Sequence, residues 1–402
     1  MPPLSPPRER GSWSILFLLI LSQVLGISVW FASSAVLPSL TAEWGLRPSD
    51  GGLLITAVQL GFIAGTLGFA LTNLADLFPP SRVFLGSALV GAGVNLLFAT
   101  TASGLAEALV YRFITGVAMA GIYPVGMKII VSYFPSGLGN AMGWLLGAVS
   151  LGAAVPFLLA FLGSALPWQA VIAGASVLVL LSGLIVATLG EGPHLPPATR
   201  LEWRMMFRVF RYPAYRASAL GYFGHCWEIP TLWVIAPLLA KEALREQGWA
   251  VEPWGNLAVF LIIAGGGLGC VAGGLMTGRL GSLRVAALAL AGSALFCVAA
   301  PWLARLPAWG FLPLLGLWSV FAVADSPQFS AMSSRACPPA YVGTALTIQN
   351  SIGFAITALS IEVCFRAWEL LGSYVGWLLA PGPLLGLFFL LRERGKREGV
   401  NY

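Results

Sequence analysis

The sequence predicts an all-α membrane protein, twelve transmembrane helices in two six-helix bundles with both termini in the cytoplasm. Three observations carry that prediction. Of 402 residues, 58% are hydrophobic and only 9% charged, whereas a soluble domain carries about 25% charged residues, so most of the surface cannot face water. Apolar runs near the roughly 20 residues that cross a hydrocarbon layer recur from one end of the chain to the other. The basic residues sort onto alternate loops. The 48 glycines and 27 prolines suit membrane helices, where both are more frequent than in soluble ones.

The runs are bounded by charged or Pro/Gly breaks. The first covers 14–40; from Ile15 to about Leu40 it is too long for a signal-peptide core, and no small-residue cleavage site follows. The second, 51–73, carries Gln59, and the third, 82–100, carries Asn95. The fourth, 106–132, holds Arg112, Tyr123 and Lys128. The fifth, 139–161, contains Gly143-x-x-x-Gly147, a spacing of small residues that allows close helix packing. The sixth is 168–189. A polar break follows, and the seventh, 216–239, holds His225, Trp227 and Glu228. The eighth and ninth are 255–277 and 284–304. The tenth, 309–333, carries Asp325 and Gln328; the eleventh, 342–366, carries Gln349 and Asn350; the twelfth is 371–391. Trp13, Trp44, Trp168, Trp249, Trp254, Trp302, Trp309 and Trp368 fall near run ends, the depth that interfacial rings prefer.

Orientation follows from the loops. One side holds Arg8, Arg10, Arg82, Arg200, Arg204, Arg208, Arg211, Arg216, Arg279, Arg284, Arg335, Arg392, Arg394, Lys396 and Arg397; the other holds Arg47, Lys241, Arg245, Arg305 and Arg366. Fifteen against five is a positive-inside bias that places both termini in the cytoplasm. The net charge of +6 is thus topological, and no nucleic-acid partner is expected. Cys226, Cys270, Cys297, Cys337 and Cys364 are scattered, with no CxxC or Cys/His ligand spacing. Neither a disulfide framework, nor a metal site, nor a cofactor is expected.

The chain divides into a first bundle, 1–189, a linker, 190–215, and a second bundle, 216–402. In the linker Arg200, Arg204, Arg208 and Arg211 recur at helical spacing opposite Trp203, Met206, Phe207 and Phe210, which predicts a short amphipathic helix on the inner leaflet. Halves of nearly equal length suggest an internal repeat. After the second run of each half lies a related short loop, Asn73-Leu-Ala-Asp76-Leu-Phe-Pro-Pro-Ser-Arg82 and Gly274-Leu-Met-Thr-Gly278-Arg279-Leu-Gly281-Ser-Leu-Arg284. These loops resemble the signature of the major facilitator superfamily, a glycine, three residues, then Asp-Arg-x-Gly-Arg. The second keeps Gly274, Arg279 and Gly281 but has Gly278 in place of the acid; the first keeps Asp76 and Arg82. Tyr111-Arg112-Phe-Ile-Thr-Gly116 is similar to the family's Arg-x-x-x-Gly element in its fourth helix. The resemblance implies the family's fold, secondary transport by alternating access, and a cytoplasmic gate formed by Asp76, Arg82, Arg279 and Arg284. The Gly-Pro pair of the family's antiporters is missing from the fifth run, and the buried arginine of its nitrate carriers is missing from the second.

Ionisable groups inside apolar runs are costly and invite a functional explanation. Burial disfavours a carboxylate's charged form, which suits proton binding and release near neutral pH. Glu228 and Asp325 are therefore the candidates for proton coupling, with His225 as relay; three residues apart, His225 and Glu228 are read as facing one side of a helix turn. Glu107 and Glu362 lie near run ends and reach water. By the resemblance Arg112 binds substrate or influences proton release from a nearby acid, which makes it the candidate anion contact, whereas Lys128, sixteen residues and about 24 Å further along, reaches the cytoplasmic interface. Trp30, Gln59, Tyr123, Trp227, Gln328, Gln349 and Asn350 complete the candidate substrate residues. Paired structural hydrogen bonds and ordinary packing remain alternatives at each of these positions.

The expected function is secondary transport of a small solute across the cell inner membrane by a monomer, its other partners being protons and membrane lipids. A small organic anion is the expected cargo; an exporter of amphipathic compounds, or a membrane sensor on the same fold, is the alternative. An enzyme is not expected: no Ser/His/Asp constellation, metal spacing or phosphate loop occurs, and His194 lies in a loop.

Overall fold

A computed structural model describes residues 11–134, 138–195, 208–338 and 342–398, with side chains at all of these except 11, 12, 48, 75, 76, 138–142, 343, 344 and 393–398. The described residues are helical, with no strand, as hydrocarbon requires of any chain that is not a closed barrel. The first half runs α1 (Gly11–Ile27), α2 (Ala32–Ala35), α3 (Leu37–Trp44), α4 (Pro48–Thr72), α5 (Leu74–Leu77), α6 (Pro80–Thr101), α7 (Leu105–Ala120), α8 (Tyr123–Tyr133), α9 (Leu138–Leu162) and α10 (Trp168–Leu189). The second runs α11 (Pro213–Glu246), α12 (Trp254–Leu280), α13 (Ser282–Leu303), α14 (Ala308–Ala324), α15 (Ser326–Arg335), α16 (Val342–Leu371), α17 (Val375–Leu379) and α18 (Pro381–Glu398).

By length and composition, nine helical stretches among the described residues suffice to cross a membrane. One of them, Ala345–Arg392, is a 48-residue run that passes through the turn Gly372–Tyr374. Helix α11, at 34 residues, is about 51 Å long, and its Glu228, Lys241, Glu242 and Arg245 make it less apolar than those nine. Trp13–Ile27 is apolar but short, because the first run breaks at residues 28–31.

Among the described residues four long segments are discontinuous, the last of them at Ala380–Pro381, and each break has a local cause or a local remedy. Pro124 and Pro327 sit in the first turns of α8 and α15, where a missing N–H costs nothing but the ring prevents the preceding helix from continuing. Both breaks fall in the fourth long segment of their half. The break after α1, Ser28-Val29-Trp30-Phe31, contains neither proline nor glycine; its β-branched and aromatic residues are weak helix formers. It leaves carbonyls that hydrocarbon cannot satisfy. Arg112 satisfies two of them, its Nη2 donating to the Val29 and Trp30 oxygens at 3.0 and 2.5 Å. Pro230 inside α11 likewise removes the helical donor to Cys226, and Thr357 of α16 donates to that carbonyl at 2.8 Å.

Within the first half α4 packs closely on α7 and α6 on α10. Gly116 makes the α4–α7 approach possible, since a Cβ there would run into the Val58 carbonyl. The same helix thus uses Gly116 to admit α4 and Arg112, one turn earlier, to hold the α1 break. The halves meet along α9 against α12 and α4 against α16. At the first seam a Cβ on Gly267 would lie 2.8 Å from the Gly147 carbonyl oxygen, and one on Gly147 3.2 Å from that of Gly267, so Gly147 of the small-residue motif serves inter-half packing.

The amphipathic helix expected in the linker falls largely on residues 196–207, outside the described residues. Its described end, Arg208–Arg211, is a 3-10 turn with Val209 fully buried beside Tyr215 and Ala345 of the second half. At the other end Glu191 is fastened to the first half. Its carboxylate accepts from the Ser81 backbone N–H at 2.8 Å and hydroxyl at 2.6 Å. Burial alone would raise the Glu191 pKa, but those bonds and the charge of Arg82 outweigh it and hold the carboxyl below its usual range.

Candidate functional site

A cavity of about 330 Å³ lies between the halves, bounded by the α1 break, α4, α8 and α9 on one side and by α11, α12, α15 and α16 on the other. Helix α11 presents one face to it: Tyr222, His225, Cys226, Ile229, Pro230 and Trp233 all line the wall, at steps of three and four. A second cavity, about 690 Å³, is lined by Ser34, Leu37, Val234, Pro237, Lys241, Arg245 and Trp368 among others. Between them stand Phe31 and Trp233, from opposite halves, ring edge to ring face with centroids 6.1 Å apart. The Trp233 indole donates to Ser319 at 3.1 Å.

His225 and Asp325 meet at the wall of the first cavity. Asp325 occupies the junction of α14 and α15, so its side chain leaves the axis where the helix is interrupted. His225 Nδ1 stands 2.7 Å from Asp325 Oδ1, a contact distance at which neither atom has a well-aligned hydrogen bond. Asp325 is 1% exposed. The contact becomes an ion pair only when the imidazole is protonated, so its strength follows the proton.

Glu228 lies on another face of α11. It is 1% exposed and does not line the cavity. Its Oε1 accepts from the Trp318 indole at 2.7 Å, from Cys297 Sγ at 3.3 Å and from the Ser293 hydroxyl. Three residues on a helix leave about 60° between side chains, enough to send His225 to the cavity wall and Glu228 into the contact with α13 and α14.

Residues 18–361 match the family model described as Major Facilitator Superfamily. The chain belongs to that superfamily. It is similar to the 4-hydroxybenzoate transporter PcaK of Pseudomonas putida, 28% identical over 186 residues, 45% of this chain and 40% of the relative. It is 28% identical over 146 residues to the niacin transporter NiaP of Acinetobacter baylyi, 33% of this chain and 32% of that protein. These curated matches thus span less than half of the relatives' length. Among solved structures, the proton:xylose symporter XylE superposes with a TM-score of 0.74 at 14% identity, covering 94% of both chains, a likeness of fold. The protein is accordingly a multi-pass membrane member of the superfamily.

The site residues expected from the sequence divide into two groups. Trp30, Gln59, Tyr123 and Asn350, with His225, line the cavity. Arg112, Trp227, Gln328 and Gln349 do not. Arg112 is fully buried behind the wall on the α1 break, with Asn95 Oδ1 at 3.4 Å. Trp227 donates to the Leu378 carbonyl at 2.8 Å; Gln328 Oε1 accepts from Thr277, and Gln349 Oε1 from Ser333, at 2.8 and 2.7 Å. Phe31, Ser150, Tyr222 and Trp233 are wall residues that the sequence reading passed over; the periodicity of 222, 225, 226, 229, 230 and 233 was the available signal.

In the two loops Asn73 ends its helix in the left-handed conformation, φ 51°, the role that favours glycine or asparagine, and Gly281 ends its helix at φ 80° with extended ψ, a conformation open to glycine. Arg82, Arg279 and Arg284 are exposed. The side chain of Asp76 lies outside the described residues. Glu362 pairs with Arg366 at 2.5 Å and Glu107 accepts from the Ser103 N–H at 2.7 Å, both at segment ends.

Proposed function

We propose that the protein is a secondary transporter that moves a small organic solute across the cell inner membrane by alternating access, coupled to protons. The observation that carries this reading is the cavity between the halves, with the buried His225–Asp325 contact in its wall. The proposed topology has twelve spans and cytoplasmic termini. The broken first segment, the charged α11 and the turn within Ala345–Arg392 each add one span to the nine apolar stretches, and fifteen basic residues against five orient them. The two bundles rock about the cavity, with Asp76, Arg82, Arg279 and Arg284 as the cytoplasmic gate. Protons are taken up at His225 and Asp325, with Glu228 as the acid one turn away. The relatives' names, a 4-hydroxybenzoate and a niacin transporter, support a small aromatic acid as cargo, and the aromatic wall suits its ring.

The test is flux into proteoliposomes under an imposed pH gradient, with 4-hydroxybenzoate, nicotinate and a panel of amphipathic compounds, comparing wild type with Glu228→Gln. Gradient-driven flux that the variant loses supports the reading. Flux indifferent to both gradient and variant removes Glu228 from coupling. No flux of any compound favours the sensor alternative.

A further inference from the structure

Besides His225 Nδ1, which stands against Asp325, two polar atoms in the cavity wall have no partner in the protein. Trp30 Nε1, a donor, belongs to a residue 6% exposed, and Gln59 Oε1, an acceptor, to one 1% exposed. Both residues line the cavity. A buried donor or acceptor without a partner is costly, so such atoms in a ligand-sized space point to groups the ligand supplies. Trp30 is also held in place from behind, its own carbonyl being tied to Arg112.

The wall's charges are equally informative. Among the described lining residues there is no lysine or arginine. The buried guanidinium of Arg112 is committed to backbone carbonyls. The titratable lining groups are Tyr123, Tyr222, Cys226, Cys270 and His225, and His225 is engaged by Asp325. A carboxylate entering this space meets no fixed positive charge, and an unpaired ion there is expensive.

We propose that the cavity binds its ligand uncharged, as a flat ring bearing an acceptor for Trp30 Nε1 and a donor for Gln59 Oε1. A protonated aromatic carboxylic acid offers both on one group, carbonyl and hydroxyl, and so does a primary carboxamide. The cargo then brings its own proton into the site. This rests on the transport reading for the location of the site but not for its coupling.

The experiment is ligand binding to the full chain in detergent, read by intrinsic fluorescence between about pH 5 and 8, with benzoic acid, benzamide and methyl benzoate. Benzamide is expected to bind with an affinity that varies little with pH. Relative to benzamide, benzoic acid is expected to weaken about tenfold per pH unit above its own pKa; taking the ratio cancels titration of His225. Trp30→Phe, which keeps a ring but no donor, is expected to weaken all three about tenfold. Gln59→Leu is expected to weaken benzamide and the acid similarly, leaving methyl benzoate, which has no donor, unchanged. Benzoic acid binding that tracks the anion, or benzamide failing to bind wild type, overturns the proposal without the variants, and leaves gradient-driven flux to be judged separately. Indifference of all three ligands to both substitutions overturns it as well.

Discussion

Replacing Glu228 separates what its shape does from what its proton does. Three donors converge on Oε1, the Trp318 indole, the Ser293 hydroxyl and the Cys297 thiol, and Trp318 and Ser293 are each 1% exposed. Glu228→Leu leaves the indole and hydroxyl buried without an acceptor, at about 1–2 kcal/mol each, the thiol adding less. Glu228→Gln keeps an oxygen where Oε1 stands, so its cost should stay below about 1 kcal/mol. The expected gap between the variants is therefore about 2–3 kcal/mol, or about 2–4 °C in the thermal unfolding of a chain of 402 residues. Unfolding of the purified protein in detergent, followed by tryptophan fluorescence, measures it. Leucine removes a buried carboxyl as well as an acceptor, and that removal can stabilise. A leucine variant as stable as the glutamine variant, or more so, refutes the view that these three hydrogen bonds hold α11 against α13 and α14.

Two further outcomes follow from the geometry. Arg112→Met leaves the Trp30 carbonyl unmet inside the apolar layer, and the Val29 carbonyl with only the Ala32 N–H at 3.4 Å, and is expected to cost about 1–3 kcal/mol; Arg112→Lys should recover part of it, and equal unfolding temperatures for all three proteins would speak against the strut. Glu191, whose pKa is held below the usual carboxylate range, contributes stability that is fully present above the ordinary carboxyl pKa and is lost as pH falls through the lower folded value. The effect should be small, on the order of 0.5 kcal/mol because solvent reaches the group. The stability difference between wild type and Glu191→Gln, followed from about pH 6 to pH 3, should shrink on acidification, and a difference that grows would contradict the assignment.

Segment positions were legible because hydropathy reports depth. The run read as 168–189 is the helix Trp168–Leu189, bounded by Pro167 and Gly190, and the run read as 82–100 is Pro80–Thr101. Continuity was less legible. Pro124 and Pro327 signal two breaks, but Ser28-Val29-Trp30-Phe31 looks like any other part of a span, and what permits its break, Arg112, lies more than eighty positions away. Direction around the helix axis was least legible, since depth says nothing of it. Trp30 and Trp227 are both tryptophans in apolar runs, yet one lines the cavity and the other caps a carbonyl of Leu378. Arg112 stood out as a charge in hydrocarbon, and the charge invited an anion. Its partners are carbonyl oxygens, which no side-chain pattern advertises.

The wall between the two cavities has an electrical consequence. Phe31 and Trp233 face one cavity, whereas Ser34 and Val234, a helical turn or less away, face the other. Where water fills both, the transmembrane voltage drops over this thin layer rather than over the whole hydrocarbon thickness, and the local field steepens in proportion. An elementary charge crossing it gains or loses about 2.3 kcal/mol per 100 mV. A neutral molecule crosses without doing electrical work. The membrane voltage therefore bears on whatever charge travels through the seal, an unaccompanied proton included, and not on a cargo that carries its proton with it.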